Sequence, residues 1–271
     1  MSAPQILGIV NLTADSFSDG GRYLEPTVAL GHAERLVAEG AHILDLGAAS
    51  SHPDATAVGA EAEIARLAAV LPTLKAAGHK ISVDSFEPEV QRWAIAQGVD
   101  YLNDINGFAQ ADTYPELAAA SCRLVVMHAV QAKGIAQRLA GDASTIEDRI
   151  VAFFEQRLAA LLAAGVAEER LIVDPGMGFF LGDTPDVSLR VLARLDRLKQ
   201  RFGLPLFVSV SRKSFLRAGS GRNLDNVAPM SLTAELWAND IGADYIRTHD
   251  VAQLHDALIL QQKLTEMRKA L

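Results

Sequence analysis

The chain has 271 residues, 49% apolar and 21% charged, enough for a substantial core and too ordered a composition for a disordered chain. Its formal net charge of −8 excludes a general nucleic-acid binder, which needs a basic face to neutralise phosphates. One cysteine, Cys122, rules out a disulfide framework and a thiolate metal cluster. No basic leader opens the chain and no apolar run is long enough for a membrane span, so a soluble protein of the cytoplasm is expected.

In chain order, Gln5–Val10 reads as a first strand. It runs into NLTADSFSDGG, Asn11 to Gly21, which is too polar to bury and ends in two glycines. Strand-to-helix connections usually take about 2–6 residues, and longer ones are usually functional or disordered. This one is expected to be a mobile loop carrying Asp15 and Asp19. Further strands are predicted to begin at His42, Lys80, Asp100, Cys122, Arg170, Pro205 and Ala243. Between them lie helical patterns at Thr27–Glu39, Glu61–Ala76, Pro88–Gln97, a short one near Asp112, and Ile146–Ala164. Asp186–Phe202, Met230–Asp240 and Val251–Lys269 complete the set. Val187, Val191, Leu195, Leu198 and Phe202 form one stripe at the helical period. Gly40, Gly78, Gly98, Gly165, Gly203 and Gly242 stand where helices must stop.

Eight β-then-α units without a break in composition indicate an α/β fold, a (β/α)8 TIM barrel forming a single domain over residues 1–271. In that architecture chemistry sits at the C-terminal strand ends, and polar residues collect there. They are Asn11; Asp45, Ser50, Ser51 and His52; Asp84 and Ser85; Asn103, Asp104 and Asn106; Met127 and His128; Asp174; Ser209, Ser211, Arg212, Lys213 and Ser214; and Arg247, His249 and Asp250. An aspartate at a strand end can simply cap the next helix. All eight strands carrying such residues is more than capping requires.

Asp84, Asn103 and Asp174, from three strands, suit a flat heterocycle with several N–H groups, held edge-on. Lys213, Arg247 and His249 come from strands seven and eight, where barrels commonly hold phosphate. Asn11, on the neighbouring strand, can reach that anion or a metal bound to it, and one protein oxygen plus phosphates is a usual way to hold Mg2+. Lys213 could instead form a Schiff base. The GSGR stretch, Gly219–Arg222, lacks a P-loop's spacing and lysine and reads as a flexible loop. No GxSxG elbow occurs, and the seven histidines show no short ligand spacing.

GIVNLTADSFSDGG, SVDSFEPEV, YLNDI, VVMH, DPGMGF, SVSRKSF and RTHD, in this order and spacing, resemble the dihydropteroate synthases over essentially the whole chain. The resemblance implies condensation of 6-hydroxymethyl-7,8-dihydropterin diphosphate with para-aminobenzoate, with release of diphosphate. It implies Mg2+ on Asn11; the pterin on Asp84, Asn103, Asp174 and Lys213; the diphosphate on Asn11, Arg247 and His249. It implies para-aminobenzoate on Ser51, Phe179 and Ser214, a closing loop whose Asp15 and Asp19 assist catalysis with Lys213, and a homodimer. Two stretches depart from the common pattern: GAASSHPD, Gly47 to Asp54, with Ser51 and His52 where Thr and Arg are usual, and DPGMGFFL, where Phe180 and Leu181 follow Phe179. With NGFAQ around Phe108, they resemble the mobile sulfonamide-insensitive branch. Phe108 is expected at the rim of the benzoate pocket, where a bulky ring would clash with a sulfonamide's extra substituent. Two alternatives remain: a methyltetrahydrofolate:corrinoid type of barrel sharing the pterin pocket, and a catalytically silent binding barrel.

Overall fold

The computed structural model describes residues 3–13, 26–56, 58–131, 134–217 and 227–270. Asp15 and Asp19 of the first loop, and Gly219–Arg222, lie outside the described residues.

The chain alternates strand and helix: β1 (Gln5–Asn11), α1 (Pro26–Ala38), β2 (Ile43–Gly47), α2 (Ala60–Ala68), α3 (Leu71–Ala76), β3 (Ile81–Asp84) and α4 (Pro88–Ala96). There follow β4 (Tyr101–Asp104), α5 (Tyr114–Ala119), β5 (Arg123–Met127), α6 (Ile146–Ala163), β6 (Leu171–Asp174), α7 (Pro185–Ala193) and α8 (Leu195–Phe202). The last four are β7 (Phe207–Val208), α9 (Ala228–Asp240), β8 (Tyr245–Thr248) and α10 (Val251–Ala270). All strand pairs are parallel, in the order β6-β5-β4-β3-β2-β1-β8-β7, and a bridge between Val173 and Leu206 joins the two ends into a barrel. The expected (β/α)8 barrel is the observed fold.

Two predicted helices divide. Glu61–Ala76 breaks at Val70, because Pro72 in the first turn of α3 has no N–H to continue the ladder. Asp186–Phe202 breaks at Arg194, with φ −129° and ψ 21°, yet Val187, Val191, Leu195 and Leu198 remain buried on one side. The six predicted stop glycines all have positive φ, between 66° and 107°, where side chains with a Cβ are strained. Strand β7 starts later than Pro205, which has no N–H to pair.

The core has two shells. Inside the barrel Leu7, Ile43, Tyr101, Val125, Ile172, Phe207 and Tyr245 form a plug. Outside it the opposite strand faces, including Ile6, Leu44, Val83, Leu102, Leu124 and Val173, pack against the helices. Among the described residues no helix is long and apolar enough to cross a membrane.

Candidate active site

Side chains alternate across a strand, so the residue two beyond each plug residue points to the same interior. Two beyond Ile43, Tyr101, Ile172 and Tyr245 are Asp45, Asn103, Asp174 and Arg247. The strand period thus makes a floor of apolar rings and a polar layer directly above it. At the top rung, Asn11 pairs in register with Gly47, Gly47 with Asp84, and Asp84 with Asn103. Glycine at position 47 leaves no side chain between Asn11 and Asp84.

Above this layer opens a cavity of about 950 Å³. Its walls include Asn11, Asp84, Lys213, Ser214, Arg247 and His249, together with Ser51, His52, Arg138 and Phe179 from longer loops. Nine of these ten, all but Arg138, were singled out from sequence, and they come together on one cavity. Asn103 and Asp174 are not on its wall but beneath it, 4% and 2% exposed. The Oδ1 of Asn103 is buried without a hydrogen-bond partner. An unpaired buried acceptor is costly unless a ligand donates to it.

Arg247 is on the cavity wall, as expected, and is anchored there by carboxylates. Its guanidinium donates through Nε to Asp45 at 2.5 Å and through Nη2 to Asp84 at 2.9 Å, which fixes its position. The reason is again the strand period: Arg247 shares its phase with Tyr245 and must point into the barrel. Asp45 itself, fully buried, was legible only as a strand-end residue; its role as the anchor of Arg247 needs the register of β8, β1 and β2.

These charges shift one another. Burial pushes the carboxyls of Asp84 and Asp174 up, the latter to about 6, against the pull of Arg247 and Lys213. Burial, then Arg247, lowers Lys213 to about 8, while Asp174 and Asp84 work to keep it charged. Its ammonium lies 5.0 Å from the centre of the Phe180 ring. His249 is held down to about 3 by burial and by Arg247, Arg212 and Lys213, so its ring is neutral. The turn after β6 is tied down twice: Asp174 Oδ1 accepts the Gly176 N–H at 2.8 Å, and His128 Nδ1 lies 3.1 Å from the Pro175 carbonyl.

The mouth is built by loops. The Phe179 ring meets His52 edge-on with centroids 6.0 Å apart, and the Arg138 guanidinium stands over the same ring at 5.5 Å. Arg138 in turn binds Asp54 through both its terminal nitrogens. Nothing in the sequence marked Arg138, which reaches a loop 84 positions away.

Phe108 is not at the rim. It is 1% exposed and belongs to the shell between strands and helices. The backbone at Gly107 and Phe108 is left-handed, with φ of 57° and 59°, and Asp104 Oδ2 accepts the Phe108 N–H at 2.9 Å. That turn folds the ring back behind β4, away from the cavity. Among the described residues, Phe179 and Phe180 are the phenylalanines that line the cavity, and Phe179 is the one packed against His52 and Arg138.

A family model described as pterin binding enzyme matches residues 7–249. Dihydropteroate synthase type-2 of Escherichia coli is 55% identical over 96% of this chain and 96% of its own. A Xanthomonas albilineans dihydropteroate synthase solved with 4-aminobenzoic acid superposes with a TM-score of 0.88, at 36% identity, covering 97% of this chain and 93% of that one. A dihydropteroate synthase from Anaplasma phagocytophilum, with bound 6-hydroxymethylpterin-monophosphate, gives a TM-score of 0.85 at 30% identity, covering 97% of this chain and all of that one. The fold, the inward polar layer and these likenesses agree, and the chain belongs to the pterin-binding enzymes and, among them, to the dihydropteroate synthases.

Proposed function

We propose that this protein joins 6-hydroxymethyl-7,8-dihydropterin diphosphate to para-aminobenzoate and releases diphosphate. The observation that carries the reading is the polar layer above the plug, where Asp84 and Lys213 on the wall of a cavity that His249 also lines meet Asp174 and an unpartnered Asn103 acceptor beneath it. A flat heterocycle seated there would donate its N–H edge to Asp174 and Asn103. Its exocyclic carbon would face the cavity, with the diphosphate toward His249 and Asn11. Arg247, held by Asp45 and Asp84, borders both parts and orients the carboxylates. Ser214, Ser51 and Phe179 line the remaining space, which suits the benzoate.

As the diphosphate departs, positive charge develops on the methylene and spreads into the dihydropterin ring. Buried carboxylates at that ring stabilise it, and Lys213 and Arg247 limit their cost in the empty site. The aniline nitrogen then attacks the methylene carbon and loses its proton to solvent or to a carboxylate of the first loop, for which Asp15 and Asp19 are the candidates.

Mg2+ fits as a diphosphate-bound ion. Among the described residues no group of three or more acidic, histidine or cysteine side chains could cage a metal, so protein ligands alone would not hold it. Asn11 offers one amide oxygen on the cavity wall, and the phosphates would supply the rest. Bound there, the ion would neutralise charge on the leaving group.

The same reading places the enzyme in the cytoplasm as a homodimer. Leu260, Leu264 and Met267, all more than half exposed on one side of α10, offer an apolar stripe for a second copy. It also makes the enzyme sulfonamide-insensitive, with Phe179 rather than Phe108 as the ring that meets the extra substituent.

Diphosphate release is the test. It should require both substrates and Mg2+, and Asn11→Ala should raise the Mg2+ concentration needed at least several-fold. Full release in excess chelator would remove the metal; no release with either substrate combination would remove the synthase.

A further inference from the structure

We propose that Glu235 is a positioning residue which, through Ser211, decides which ring nitrogen of His249 carries the proton, and so whether His249 offers the diphosphate a donor or an acceptor. The proposal rests on the reading that His249 meets that diphosphate.

Glu235 lies in α9, away from the residues assigned above, and is 2% exposed. Its Oε1 has no hydrogen-bond partner, and charged side chains are almost never buried so completely without one. The carboxyl lies against the hydroxyls of Thr248 and Ser211. Ser211 is the junction: its Oγ is 3.1 Å from His249 Nδ1, 3.4 Å from Thr248 Oγ1, and accepts the His249 backbone N–H at 3.2 Å. With Nδ1 turned to Ser211, Nε2 is the nitrogen left for the cavity that His249 lines.

A serine hydroxyl has one proton to give. If Glu235 carries its own proton, it donates toward the hydroxyl pair, and Ser211 can donate to Nδ1. A neutral His249 then bears its hydrogen on Nε2, pointing a donor at the anion. If Glu235 has released its proton to solvent, it accepts the Ser211 hydrogen instead. Nδ1 must then hold the ring hydrogen to bond Ser211, and Nε2 presents a lone pair to the anion. The first arrangement attracts a diphosphate oxygen and the second repels it.

Burial is the largest influence on Glu235 and pushes its carboxyl up to about 8; Asp250 acts in the same sense and Arg212 against it. Asp250 and Arg212 are themselves paired at 2.7 Å, and His249 is neutral, so among the described residues that act on the carboxyl the one cation is already compensated. Glu235 is therefore protonated at neutral pH and loses its proton over a range in which the substrate must still bind.

The test uses the full-length enzyme and inorganic pyrophosphate, titrated by calorimetry between pH 6.5 and about 9.5 for wild type and Glu235→Gln. Glutamine is nearly the same shape and keeps a donor toward Ser211 at every pH. Dividing one pH profile by the other cancels the titration of the probe. Wild-type affinity should match the variant near pH 7 and fall roughly tenfold below it by pH 9. Equal profiles would overturn the proposal. Nitrogen NMR of His249 in the ligand-free wild type needs no variant: the hydrogen should sit on Nε2 at pH 7 and move to Nδ1 above about 8. A single tautomer throughout would equally overturn it. His249→Ala separates the two claims, since unchanged pyrophosphate affinity there would remove His249 from the diphosphate site while leaving the tautomer measurement to judge Glu235.

Discussion

Asp174 shows how far a single residue's environment sets its behaviour. In the proposed function the pterin is held by its carboxylate; burial raises the group to about 6, so affinity for the pterin should fall as pH drops through about 6. The empty fold responds with the opposite sign. Its Asp174 binds a proton more tightly than the unfolded chain does, so this group stabilises the fold as pH falls from about 6 toward 4. Asp174→Ala should abolish that pH response and weaken pterin binding by roughly two decades, about 3 kcal/mol for hydrogen bonds to a charged acceptor. Calorimetry with the pterin diphosphate checks both. Phe108 and Phe179 make the complementary pair. Phe108→Ala empties a filled core position and should cost about 3–5 kcal/mol of stability while leaving the sulfonamide response unchanged. Phe179→Ala should leave stability nearly intact and make a sulfonamide compete at concentrations closer to those of para-aminobenzoate. Unfolding curves and inhibition assays on both variants decide. The polar residues of the site were legible because each ends an apolar run, and that pattern depends on sequence alone. The position of Phe108 was not legible, since a left-handed phenylalanine carries no signature in its neighbours.

At the scale of elements, the turn after β6 is the most constrained. Gly176 has φ 75°, and a Cβ there would lie 2.3 Å from the His128 carbonyl oxygen, which is backbone and cannot swing aside. Gly176→Ala should therefore cost more than the usual ~1 kcal/mol for such a change. A drop of about 5 °C or more in Tm is expected, with a larger loss in pterin affinity than in stability, because Asp174 shares the turn. The existence and order of the helices could be read from periodicity, and their interruptions only in part. Pro72 announces the break between α2 and α3. The break at Arg194 has no proline or glycine; there Arg190 and Arg194 both reach Glu147 on α6, a partner more than forty positions earlier. Contacts at that separation are invisible to any local pattern.

For the whole molecule, the barrel is unevenly stitched. Most neighbouring strands share three to five registered pairs, but β7 is two residues long and meets β6 through the bridge of Val173 with Leu206. Asp174 ends one side of this gap and Lys213 follows the other. A pterin touching both would act as a clasp across the least-stitched seam. In the empty protein, the amides of 171–174 and 206–208 should be the first of the barrel's to trade hydrogen for deuterium, and pterin diphosphate should slow them more than those of β2 or β3. Uniform protection around the ring would show that the ligand merely tightens the fold as a whole. Seam-specific protection would make the substrate a structural member, closing the hoop that its own chemistry requires to be closed.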